Sequence, residues 1–105
     1  MNNLQFLLNR LAEESVEIAK DSLKAVEFGL TATDTDGRQY DNKAAIHSEI
    51  NDLMAIIEML NEECGFNYKP NVEAIAIKKV KVAKYREHSR KLSLIDTNTS
   101  YQINN

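Results

Sequence analysis

The chain has no tryptophan, one proline, three glycines and one cysteine in 105 residues. So few glycines and prolines leave little of the turn punctuation that β-rich folds need, which points to the all-α class. A single thiol, Cys64, excludes an intrachain disulfide and fits a reducing compartment; nothing beside it marks a nucleophile. Long apolar runs are missing as well. The longest, "LMAII", is far short of the ~20 residues that cross a bilayer, and the opening "MNNLQFLLNR" has neither a basic start nor a small-residue cleavage site. The expectation is a cytoplasmic protein with no membrane partner. Nor is there an excess of positive charge. The net charge is -3 and the pI about 5.4, so the chain as a whole does not attract a polyanion, and nucleic acid is not expected as a partner.

Three amphipathic segments carry what is present. Leu4, Leu7, Leu8, Leu11, Ile18 and Ala19, with Ser15 as a small filler, recur at helical spacing, so a helix is predicted from about Asn3 to Phe28, with Gly29 as its stop. "LTATDTDGRQYDN" follows without period and reads as an exposed connection turning at Asp36-Gly37. Asp41 or Asn42 caps a second helix with the stripe Ile46, Ile50, Leu53, Ile57, Leu60, ending near Cys64-Gly65. Because "LMAII" makes this helix apolar nearly all round, it is expected in an interior. Asn71 precedes a third helix with Val72, Ile75, Ala76, Val80 and Ala83, which fades beyond Leu92. Met54, Met59, Phe6 and Phe28 read as core, and Phe66 as cover for a helix end. Residues 1–92 are expected to form one helical domain and 93–105 a polar tail. At this length one core is affordable, near the size at which a second copy helps.

Two acidic clusters break the usual economy of helix surfaces. "EESVE" (13–17) sets Glu14 and Glu17 one turn apart, and "EIND" (49–52) does the same for Glu49 and Asp52. Such pairs have Cβ atoms about 5–6 Å apart and repel. Glu49 and Asp52 also border the apolar stripe, where an ionised carboxylate must be paired, metal-bound or protonated. All-carboxylate ligation suits hard cations such as Mg²⁺ or Mn²⁺. A bundle di-iron site normally includes Glu-x-x-His, which neither cluster supplies, and His47 points to another face. The bland reading is that sixteen acids produce such pairs by chance, as Glu58 with Glu62 does.

In these residues the chain resembles the MazG-like group of all-α nucleoside triphosphate pyrophosphohydrolases, whose signature is Glu-Glu-x-x-Glu followed later by Glu-x-x-Asp. The likeness extends over "LAEESVEIAKDSLKAVEFGL" and "KVAKYREHSRKL", about residues 4 to 92. The resemblance implies that Glu14, Glu17, Glu49 and Asp52 hold Mg²⁺, with Glu13 supporting them or orienting a water. It further implies cleavage between the α- and β-phosphates of a nucleoside triphosphate to give a monophosphate and pyrophosphate. One departure is the long interval from Ile18 to Ser48.

Basic groups would be needed for the triphosphate, since no Gly-rich phosphate loop is present. Lys78, Lys81, Tyr85 and His88 share a face of the third helix, with Lys84 and Lys91 beside it, and Lys24 lies two turns beyond Glu17. Lys24, Lys78, Lys81 and Tyr85 are the candidate substrate contacts; each also reads as part of an ordinary solvated face. The architecture expected is an antiparallel bundle of three long helices, completed as a homodimer or homotetramer because the second helix has more apolar surface than two neighbours cover. Alternatives are a phosphoribosyl-ATP pyrophosphohydrolase-like enzyme, a catalytically silent helical adaptor, and a nucleic-acid binder using the Lys-rich helix.

Overall fold

The computed structural model describes residues 1–33 and 37–95, and within them the chain is all-helical. The helices are α1 (Asn3–Phe28), α2 (Asn42–Cys64) and α3 (Val72–Lys91). Among the described residues there is no strand, only an isolated bridge between Thr33 and Asp41.

Local chemistry sets each boundary. α1 begins in a reciprocal cap: Asn2 Oδ1 accepts from the Gln5 N–H at 2.8 Å while Gln5 Oε1 accepts from the Asn2 N–H at 3.0 Å. It ends at Gly29, whose φ of 97° few other residues tolerate. Asp41 caps α2 by accepting from the Ala44 N–H at 2.9 Å, and Gly65 ends it in the left-handed conformation. Asn71 caps α3 in the same way, accepting from the Ala74 N–H at 2.9 Å.

α1 and α2 pack side by side in opposite directions. At one end Asn3 Nδ2 donates to Glu63 at 3.1 Å and to the Cys64 sulfur at 3.8 Å. At the other, buried Asn42 donates from Nδ2 to the Gly29 carbonyl at 2.9 Å and accepts from Arg38. The Asn42 and Lys43 N–H groups donate to the Ala32 and Leu30 carbonyls, both at 2.9 Å, so the chain entering α2 is stitched to the chain leaving α1. Arg38 also lies over the Tyr40 ring, 4.7 Å from its centroid. Of the expected Asp36-Gly37 turn, Asp36 lies outside the described residues, as do residues 96–105 of the tail.

The described residues divide into two compact units, 1–68 and 69–95. In the first, Leu7 (1% exposed), Leu60 (0%) and Ala45 are the buried hydrophobics. Phe6, Phe28, Met54 and Met59, expected as core, are exposed, and so is Phe66 at the end of α2. Two helices can cover only one face of each other: on α2 Ile46, Leu53, Ile56 and Ile57 are half-buried, while Ile50, Met54 and Met59 stay exposed. In the second unit α3 buries none of its residues; Ile75, Ile77, Val80 and Val82 are exposed. No helix among the described residues is long and apolar enough to cross a membrane.

Candidate metal centre

The α1–α2 register brings the two acidic clusters together. Two helices of equal rise keep whatever register their ends set. Asn3 lies against Glu63, which sets Glu14 across from Asp52, Glu17 across from Glu49 and Asp21 across from Ala45. The side chains agree: Glu14, Glu49 and Asp52 each offer a carboxylate oxygen, and the three oxygens lie within 4.8 Å of one another. Glu14 is buried, Glu49 half-buried and Asp52 exposed, so the cluster grades from the helix seam outward to solvent.

Electrostatics follow from that crowding. The Glu49 carboxyl is held above its ordinary value of 4.5, first by its burial and then by the negative charges of Asp52, Asp21, Glu14 and Glu17. Among the described residues nothing donates a hydrogen bond to Glu49. Glu14 fares differently. Arg10 forks between Glu13 and Glu14, with Nη1 to Glu13 at 2.8 Å and Nη2 to Glu14 at 3.0 Å. One guanidinium thus fixes two adjacent carboxylates from one turn upstream.

Of the residues singled out by sequence, Glu14, Glu49 and Asp52 converge. Glu17 is half-buried and adds its charge at Glu49, but it does not belong to the close three-oxygen group. Glu13 is exposed and held by Arg10. Lys24 is half-buried on α1; Lys78, Lys81 and Tyr85 are exposed on α3, in the other unit. His47 is exposed and outside the cluster.

Two residues escape a motif-based reading. Arg10 is one, and its only sequence signal is a basic residue placed three and four positions ahead of the Glu13-Glu14 doublet. Asp21 is the other, buried to 8% exposure like Glu14. The buried residues of α1 are Leu7, Glu14 and Asp21, seven apart each time, so the line that faces α2 starts apolar and turns acidic.

The donor set fits a hard divalent cation: the group is three carboxylate oxygens, with no sulfur and no imidazole in it. No family model, curated protein or solved structure matches the chain.

Proposed function

We propose that the chain is an Mg²⁺-dependent nucleoside triphosphate pyrophosphohydrolase of the MazG-like kind, releasing a nucleoside monophosphate and pyrophosphate. The observation that carries the reading is the convergence of Glu14, from the first motif, with Glu49 and Asp52, from the second, onto one cluster whose three oxygens lie within 4.8 Å of one another. A bound cation would neutralise charge on the bridging phosphates and lower the pKa of a bound water.

The chain's own residues prepare that chemistry. Glu14, Glu49 and Asp52 hold the cation and Glu17 supports them. Mn²⁺ serves as a substitute, since it takes the same oxygen donors. Arg10 keeps Glu13 and Glu14 in defined rotamers, which leaves Glu13, at the exposed rim, to orient water. Lys24, Lys78, Lys81 and Tyr85 are assigned to the polyphosphate and base. The helices assemble as an antiparallel bundle completed by further copies, in a homodimer or homotetramer. Supporting this are the bare apolar residues Ile50, Met54 and Met59 on α2 and Ile75, Val80 and Val82 on α3, more uncovered apolar surface than a lone chain keeps.

A panel of nucleoside triphosphates assayed for released pyrophosphate tests the reading. Turnover with Mg²⁺, abolished by chelation and by Glu49→Gln, supports it; no pyrophosphate from any of them refutes it. Phosphoribosyl-ATP belongs in the same panel, because preference for it would reassign the substrate. The silent-adaptor reading draws on the same bare apolar faces and predicts no cation binding at all.

A further inference from the structure

α1 carries a second apolar line that its pairing with α2 does not use. Ala12, Val16, Ala19, Leu23 and Val26 follow one another at alternating steps of four and three, the spacing of a coiled-coil seam. Val16 comes nine residues after buried Leu7, and at about 100° per residue that puts it on the opposite side of the helix. All five residues are exposed, Val16 to 63%, Leu23 to 69% and Val26 to 78%. α1 is thus apolar on two sides, of which α2 covers one. Glu13, Lys20 and Glu27, each directly after a seam residue, edge the line on one side, and Ser15 and Ser22 edge it on the other.

We propose that this seam docks a second copy of the chain, α1 lying antiparallel against the partner's α1 about a two-fold axis. The occupant follows from how the seam fits itself. The register that sets Val16 across from the partner's Ala19 also sets Ala12 across from the partner's Leu23, and the axis repeats both layers, so each large side chain meets a small one. In that register Glu13 lies beside the partner's Lys20 and Lys20 beside the partner's Glu13, while Ser15 and the partner's Ser22 meet along the other edge. Glu13 can keep its Arg10 contact, because a carboxylate accepts from several donors. Sliding by one heptad brings like charges together: Lys20 onto the partner's Lys20 and Glu13 onto the partner's Glu27 in one direction, Glu13 onto the partner's Glu13 in the other. A parallel pair sets Lys20 and Glu27 against serines and gains no charge pair. Burial of the apolar seam drives the association, and the exposed charges select its register.

This inference rests on the assembly part of the reading above, not on its cation, and the experiment is run in chelator to keep the two apart. Self-association of the full chain is measured by sedimentation equilibrium over a concentration series, with circular dichroism reporting helical content. Leu23→Glu should halve the particle mass at unchanged helicity, since it puts a carboxylate against the partner's Ala12 in both symmetry-related layers. Lys20→Glu should weaken association about tenfold by turning two attractive pairs into repulsive ones, and Glu13→Lys combined with Lys20→Glu should restore it. A parent that stays a single chain at every concentration overturns the proposal, as does a Leu23→Glu particle of undiminished mass. Tighter association of Lys20→Glu shows that a cationic segment such as α3 covers the seam, and overturns self-pairing. Failure of the double exchange to rescue overturns the antiparallel register. Each of these results leaves the pyrophosphate assay free to decide the cation-dependent reading.

Discussion

Replacing Glu49 by Gln should stabilise the metal-free protein and abolish most of its response to Mg²⁺. The magnitude follows from the cluster. At 4.8 Å, the upper limit of oxygen separation in the trio, two unit charges repel by about 3.5 kcal/mol at an effective dielectric of about 20 and by about 0.9 kcal/mol in bulk water. Asp52 is exposed and its share is screened, whereas Glu14 is buried and its share is not, though Arg10 offsets part of it. A net relief of about 1–3 kcal/mol is therefore expected in chelator, and a small domain converts each kcal/mol into about 4–8 °C of melting temperature. Circular dichroism melts at one fixed protein concentration, with chelator and with excess Mg²⁺, read both effects. The parent should gain strongly from Mg²⁺ and the variant hardly at all. If Glu49→Gln melts lower than the parent in chelator, the carboxylate is serving the fold and the electrostatic reasoning is wrong. If Mg²⁺ lifts both proteins equally, Glu49 is no ligand.

Acidity should erase that advantage. Folding raises the Glu49 pKa above 4.5, so its contribution to parent stability is full below 4.5 and is lost as pH rises through the folded value. The gap between Glu49→Gln and the parent in chelator should accordingly be open at neutral pH and close as pH falls to about 4.5; denaturant midpoints across that window check it. Arg10→Ala leaves Glu14 buried without its guanidinium and should cost about 1–2 kcal/mol in urea unfolding of the metal-free chain. Asn42→Ala removes the donor on the Gly29 carbonyl and the acceptor for Arg38, for a loss of about 1–3 kcal/mol by the same measurement. Met54→Glu, on the bare side of α2, should shift the protein to a smaller species in size-exclusion chromatography with light scattering, leaving helical content unchanged.

The helices were legible because their boundaries are local. Gly29, Asp41, Gly65 and Asn71 announce stops and starts through backbone freedom and side-chain reach, and each acts where its chemistry predicts. The convergence of Glu14 with Glu49 and Asp52 was legible for a related reason: antiparallel helices with a fixed register carry acids at matching heights. Asp21 was hidden because motif spacing follows steps of three, while the line facing α2 advances in steps of seven. Arg10 was hidden because its role depends on rotamers. The exposure of Phe6, Phe28, Met54 and Met59 was misread because apolar periodicity records that a face is to be covered, not that the same chain covers it.

The steps of seven in α1 also make the acidic line a matter of angular phase. One residue inserted between Leu7 and Glu14 would leave Leu7 seated against α2 and swing Glu14, Glu17 and Asp21 by about 100° around the axis. Such a helix would be as long, as charged and as well capped as the parent, yet its carboxylates would face the wrong way. Length variation within this stretch is thus far more damaging than most single replacements, whereas the connection between α1 and α2 can vary in length so long as Asn42 still finds the Gly29 carbonyl.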